Sequence, residues 1–500
     1  MPSPSHNIAE ILLSRGAAGA AAVFCGRHAL TYDELRRQVG GWAAQLLAAG
    51  LCPGARIGLL AENGPFFISA YLGTMLAGSC VVPFPLDCSQ AAFADMVRSL
   101  GIRRLAVSAR FLGRIRPWAE PLGLELLTEE EHGPAGPPPH SIAAAVDPHG
   151  LAAIMPTSGS TAEPKGVMVT HGNIAANTEA ILRYMALTPA DRVMVVLPFS
   201  YCYGASLLHT HLLAGASLVL NNRFLFPEKV LDEMDQRHCT GLAGVPSTYQ
   251  ILLRKTNFAR RTFPALRWLQ QAGGRLPNAL IEELRRALPA VRLFIMYGQT
   301  EGTARLSYLP PDRLHDKLGS IGRGLPGTRL EVLRPDGTPV CPGSDEVGEI
   351  VACGDNVSPG YWNDPEETQR YFRDGKLHTG DMARVDADGF LFIVERGRDF
   401  IKAMGNRVSP REVEEVIAEL PPVVEAAVLG VPDEILGEAV KAFVVTSRPG
   451  ALTADAVQAH CTGRLANYKV PKYVEFLASL PKTSSGKVAK EELRRHKPGT

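Results

Sequence analysis

VMVVLPFSYCYGASLLHTHLLAGASLVLNN, residues 193–222, runs for thirty positions without an Asp, Glu, Lys or Arg. A membrane span needs about 20 predominantly apolar residues. Here Pro198, Ser200, Gly204, His209, His211 and Gly215 cut the run into shorter pieces. Residues 193–197 read as a buried strand, 205–213 as a buried helix and 216–220 as another strand. Residues 63–86 are broken in the same way by Asn63-Gly64-Pro65, Gly73, Gly78 and Pro83. Apolar strands alternating with helices are what a parallel sheet covered on both faces requires. The stretch predicts the core of a large α/β domain.

The same rhythm extends outward. Strand candidates at 56–61, 79–83, 151–156, 240–245 and 293–297 alternate with helical patterns from residue 30 to about 310, the signature of βαβ units. From about 319 to 395 the texture changes to short strands joined by turns. Arg334-Pro335-Asp336-Gly337 and Asp386-Ala387-Asp388-Gly389 both carry turn chemistry, so a small, β-barrel-like antiparallel unit is expected there. Beyond 398, Ser409-Pro410-Arg411-Glu412 opens a helix with a hydroxyl cap and Pro at its first position. Strands at 423–429 and 440–445, a helix from about 453 and a strand at 473–476 complete a compact α+β segment. The expected organisation is a large domain over 1–397, including the β-rich unit, and a small domain over 398–500.

Composition narrows the class. The 500 residues are 46% hydrophobic and 21% charged, near globular averages, which excludes a disordered chain or a disulfide scaffold. Basic residues number 52 against 51 acidic, so no net field attracts nucleic acid or an anionic membrane. The nine cysteines form no CxxC pair and none has zinc spacing to a His; scattered buried thiols fit a reducing compartment. No basic segment followed by an apolar core opens the chain. A cytoplasmic protein with neither a transmembrane segment nor a nucleic-acid partner is expected.

Chemistry concentrates in Thr157-Ser158-Gly159-Ser160-Thr161-Ala162-Glu163-Pro164-Lys165-Gly166, after the strand at 151–156 and before a helical stretch from Ile174. Small hydroxyl residues and glycine let backbone N–H groups close on phosphate oxygens, and Lys165 adds positive charge. It is not a GxxxxGK[ST] loop. Gly322-Arg323-Gly324-Leu325-Pro326-Gly327 matches GxGxxG, but 48 glycines give about 0.4 such matches by chance, and no buried strand precedes it. An NAD-dependent oxidoreductase is accordingly a weak alternative.

The loop 157–166, Tyr297-Gly298-Gln299-Thr300-Glu301, His378-Thr379-Gly380-Asp381 and Gly486-Lys487, in that order, resemble the adenylate-forming superfamily of acyl-CoA synthetases, peptide-synthetase adenylation domains and beetle luciferases. The resemblance spans essentially the whole chain. It implies that a carboxylate attacks the α-phosphate of Mg-ATP to give an acyl-adenylate and pyrophosphate, after which the acyl group passes to a thiol. It places Thr157, Ser158, Gly159, Ser160, Thr161 and Lys165 on the β- and γ-phosphates, Thr300 on the α-phosphate and Glu301 on Mg²⁺. Asp381 would accept from the ribose hydroxyls, with Arg396 near the ribose or phosphate. Tyr297 would stack on adenine beside Gly298 and Gln299, while Gly273, Gly274 and Arg275 would line the adenine and acyl pockets. Lys487 would contact the carboxylate and the α-phosphate. Arg398 falls at the hinge of a mobile C-terminal domain, whose rotation would bring Lys402 and Gly405, at the thiol tunnel, to face the large domain.

Tyr201 and Gly204, in Leu197-Pro198-Phe199-Ser200-Tyr201-Cys202-Tyr203-Gly204, align with the acyl-pocket motif of that superfamily, with Tyr201 where a His is common. No Asp lies between Arg192 and Arg223 to pair with a substrate amine, which disfavours an α-amino acid. Arg305, four residues past Glu301, is either a surface arginine or an acyl-pocket residue favouring a second anionic group on the acid. The implied thiol is that of CoA or, alternatively, the phosphopantetheine of a separate acyl carrier protein.

Overall fold

The computed structural model describes residues 6–130, 136–157, 165–396, 401–403, 406–433, 437–483 and 486–496. Ser158, Gly159, Ser160, Thr161, Arg398 and Gly405 lie outside the described residues, as does the boundary expected at 397–398.

The charge-free stretch folds into strand Arg192–Val195, helix Cys202–Ala214 and strand Ser217–Leu220. The two strands pair in parallel, with Val193 opposite Leu218. The helix is buried on every side from Tyr203 to Ala214, as an all-round apolar helix must be. Its polar side chains turn back on their own helix: Ser206 donates to the Tyr203 carbonyl at 2.7 Å and Thr210 to that of Ser206 at 2.8 Å. Helix Pro65–Leu76 is equally buried. Its Phe67 and Tyr71 rings lie 5.6 and 5.7 Å from Phe199 and His209.

These helices lie between two sheets. A nine-stranded sheet runs in the order Arg323–Gly324, Ser307–Leu309, Arg292–Tyr297, Trp268–Gln271, Gly241–Gly244, Arg192–Val195, Ser217–Leu220, Ala21–Cys25, His28–Thr31, parallel except at its edges. A six-stranded sheet runs Glu125–Thr128, Arg104–Val107, Arg56–Leu60, Cys80–Pro83, Leu151–Thr157, Lys165–Thr170. One continuous core draws Val23, Val193 and Leu218 from the first sheet and Ile57, Val81 and Ala153 from the second. Burying such side chains is worth about 1.5–3 kcal/mol each.

Strand Lys165–Thr170, antiparallel to Leu151–Thr157 with Thr157 opposite Lys165, stands before helix His171–Met185, which contains the expected helical stretch from Ile174. One expectation changes. The β-rich unit starts later than expected. Its five antiparallel strands lie between Thr328 and Arg396, whereas Arg323–Gly324 pairs with Ser307–Leu309 in the large sheet.

The small C-terminal domain packs helices Pro410–Ala418 and Ala454–Thr462 on a five-stranded sheet. Its own core contains Val408, Val413, Ile417, Val444 and Val457. The architecture is α/β, with a large N-terminal and a small C-terminal domain. All nine cysteines are free, and no described helix is long and apolar enough to cross a membrane.

Candidate active site

A cavity of about 1000 Å³ opens where the ends of both large sheets, the β-rich unit and the C-terminal tail meet. Its wall includes Thr157, Lys165, Tyr201, Gly273, Gly298, Gln299, Thr300, Glu301, Gly380 and Lys487. The structure therefore gathers residues more than three hundred positions apart in sequence.

Strand Arg292–Tyr297 delivers the Thr300–Gly302 turn to the cavity. The chain doubles back sharply there. A β-carbon on Gly298 would lie 2.1 Å from the Ala304 carbonyl oxygen, so only glycine fits. Thr303 and Ala304 adopt φ of 50° and 85°, left-handed values that cost an L-residue energy and recur at functional sites. The Thr300 hydroxyl donates to Cys202 Sγ at 3.3 Å, and burial raises the Cys202 thiol pKa above its ordinary value. Tyr361 Oη donates to Glu301 Oε1 at 2.7 Å. Burial, reinforced by the Glu301 carboxylate, pushes the Tyr361 phenol far up, so it stays a donor.

Lys165 is ion-paired with Glu367 and lies 5.5 Å from the Tyr361 ring. Tyr297 Oη donates to Asp381 Oδ2 at 2.7 Å, joining two residues expected at adenine and ribose. They flank the wall residues Gly298 and Gly380. Arg396 stands opposite Asp381 in the strand register.

Lys487 reaches the cavity from the C-terminal domain. Ser247 Oγ donates to the Gly486 carbonyl at 3.1 Å, and Lys487 Nζ lies 5.5 Å from the Tyr201 ring. Gly273, at φ 83°, makes room: a β-carbon there would sit 2.9 Å from Tyr201 Oη and 3.7 Å from Lys487 Cε.

Other expected residues stand elsewhere. The Arg275 guanidinium pairs with Glu415 of helix Pro410–Ala418 at 2.7 Å, so it ties the domains together rather than lining a pocket. Gly274 packs on Pro246, its carbonyl accepting from Gln271 Nε2 at 2.7 Å. Gly204 lies within the buried helix, pressed against the Pro198 carbonyl. Lys402 is exposed on strand Ile401–Ala403, away from the cavity wall. Arg305 is 1% exposed, which removes the surface reading. Sequence reasoning missed Tyr361, Glu367 and Tyr203. An aromatic after a glycine and an acid in a polar helix carry no signal until folding sets them beside Glu301 and Lys165.

The donor set suits a nucleotide with a hard cation. A carboxylate, hydroxyls and two lysines converge, and the buried Gln299 Nε2 has no hydrogen-bond partner among the described residues. No group of three or more His, Cys, Asp or Glu able to hold a metal occurs among those residues.

The family model for AMP-binding enzymes matches residues 14–362, and that for the AMP-binding enzyme C-terminal domain matches 412–487. The chain belongs to the AMP-binding enzyme family. It is 37% identical over 487 residues to a feruloyl-CoA synthase of an Amycolatopsis species, covering 95% of this chain and 96% of that one. It is 35% identical over 489 residues to a sulfoacetate–CoA ligase of Cupriavidus necator, covering 94% and 93%. Its fold superposes on o-succinylbenzoate coenzyme A synthetase from Bacillus subtilis in complex with ATP and magnesium ion, with TM-score 0.84, 27% identity and coverage of 97% and 99%. As a member of this family the chain is an AMP-forming ligase of the acyl-CoA synthetase type. The oxidoreductase alternative falls away: residues 322–327 enter an antiparallel edge, not a βαβ unit.

Proposed function

We propose that this enzyme activates a carboxylic acid with Mg-ATP and transfers the acyl group to CoA. In the first step a carboxylate oxygen attacks the α-phosphorus and the bond to the leaving pyrophosphate breaks. In the second the CoA thiol, losing its proton, attacks the acyl carbonyl and AMP leaves. The observation that carries the reading is Lys487, a tail residue held at Tyr201 and Gly273 within the cavity that contains Thr300 and Glu301.

The family resemblance supplies the roles, and the chemistry of each residue type suits them. Residues 157–165 cradle the β- and γ-phosphates, and Lys165 exchanges Glu367 for phosphate when ATP arrives. Thr300 donates to the α-phosphate. Glu301, oriented by Tyr361, holds Mg²⁺, which supplies charge neutralisation on the departing pyrophosphate. Asp381 accepts from the ribose, with Arg396 nearby, and Tyr297, Gly298 and Gln299 bound the adenine. Lys487 stabilises negative charge developing between carboxylate and phosphorus. Rotation about Arg398 then withdraws Lys487 and presents Lys402 and Gly405 for the thiol step. The CoA-ligase relatives favour CoA over a carrier-bound phosphopantetheine.

The test is pyrophosphate release over a panel of carboxylic acids, with and without CoA. Stimulation by CoA is expected for at least one acid. Release that responds only to an added acyl carrier protein would replace CoA as the acceptor.

A further inference from the structure

Arg305 is a buried cation without a counter-ion among the described residues. Its Nη1 donates to Tyr184 Oη at 2.9 Å, and its Nη2 donates to Gln270 Oε1 at 2.7 Å and Ser206 Oγ at 3.3 Å. All three acceptors are neutral. Nε is buried with no partner, and no carboxylate pairs with Arg305 among the described residues. Asp191, which like Arg305 influences His211 electrostatically, is committed to Arg267 at 3.2 Å and to Thr188 and Thr240. Removing an ion from water costs several kcal/mol unless an opposite charge compensates. An arginine cannot escape by deprotonating.

Its position supplies a reason. The guanidinium carbon lies 5.3 Å from the centre of the Tyr203 ring, and Tyr203 forms part of the active-site wall. The Tyr203 and Tyr201 rings are 6.3 Å apart, edge to face, and Lys487 Nζ lies 5.5 Å from Tyr201. Two cations therefore stand at opposite ends of one tyrosine pair. Beside it, Ser206, which accepts from Arg305, also lines a small recess whose wall shares Cys202 and Thr300 with the main cavity, while Arg305 itself lines neither.

We propose that Arg305 is a specificity-determining residue selecting acids that carry a second oxyanion, carboxylate or sulfonate, at the end remote from the reacting carboxylate. The inference rests on the acid-activating reading above. The reacting carboxylate meets Lys487, the body of the acid lies along Tyr201 and Tyr203, and the distal oxyanion compensates Arg305. Tyr184, Gln270 and Ser206 hold the guanidinium in place without neutralising it, so its field is left for the ligand.

The experiment measures kcat/KM for acid-dependent pyrophosphate release with short and aromatic dicarboxylic acids, sulfonate-terminated carboxylic acids, and their methyl- or amide-terminated isosteres. Acting across Tyr203 rather than by direct contact, the Arg305 charge should make the wild-type enzyme favour the doubly anionic acid by roughly 10- to 100-fold. Arg305→Met should collapse that ratio towards one whatever happens to the absolute rates, and Arg305→Lys should restore part of it. A structural pillar would lower both acids together and leave the ratio unchanged, which would overturn the proposal. So would a wild-type enzyme that turns over the singly charged isostere equally well, a result obtainable even if Arg305→Met fails to fold. The comparison of carboxylate with sulfonate shows which oxyanion the pocket takes. Pyrophosphate release with no acid at all would remove the activation reading itself, an outcome distinct from free activation of singly charged acids.

Discussion

Lys487 is the residue on which the proposed chemistry turns. It lies at the end of a tail that belongs to another domain, and its place is set by the Ser247–Gly486 hydrogen bond and the space left by Gly273. Lys487→Ala should reduce adenylate formation by about 10²–10³-fold, the scale of one electrostatic stabiliser. Thiolysis of a supplied acyl-adenylate should persist. Single-turnover assays of the two half-reactions check this; equal losses in both would assign Lys487 a structural role. At this scale the sequence was legible wherever a motif combined uncommon residue types at fixed spacing, as in Thr300-Glu301 and Gly486-Lys487. Arg275 was misread because a glycine-rich turn says where the backbone goes and not where a long side chain ends. Its guanidinium left the pocket for Glu415.

Among the elements, the buried helix Cys202–Ala214 was readable because a charge-free run interrupted by glycines and prolines has few other solutions. The strand that pairs antiparallel with Leu151–Thr157 was not. Strand Lys165–Thr170 is only six residues long and reads on into the helix His171–Met185. Buried histidines bring an acid sensitivity. Burial lowers the pKa of His171 to about 4, of His209 to about 3 and of His211 to about 4. Each is neutral when folded and binds a proton at about pH 6.5 when unfolded. The unfolded state thus binds more protons below that pH, and stability falls as pH falls. Urea unfolding between pH 7 and 5 should show a loss approaching about 1.4 kcal/mol per pH unit for each imidazole. His209→Gln should flatten the slope by about one imidazole's share; an unchanged slope would contradict the neutral, buried assignment.

For the whole molecule, the question is how one cavity serves two reactions. The C-terminal domain is held against the large domain by Arg275–Glu415, by Arg254 Nε donating to the Val423 carbonyl at 3.3 Å, and by Ser247. Lys487 is at the cavity while Lys402 is exposed, the arrangement that the adenylation role proposed for Lys487 calls for. Polar contacts of this kind favour rotation, since each pair exchanges readily with water. Arg398→Pro should hold one arrangement, so that one half-reaction is lost while the other is kept. Rapid-quench measurement of each step separates the outcomes, and survival of both would move the hinge elsewhere.

The central claim is that an organic acid and ATP react reversibly at this cavity to give an acyl-adenylate and pyrophosphate. Exchange of radiolabelled pyrophosphate into ATP tests it most directly. Exchange should require both Mg²⁺ and a carboxylic acid, and should fall by about 10²–10³-fold in Lys487→Ala. A folded enzyme that exchanges no label with any acid supplied would contradict the account.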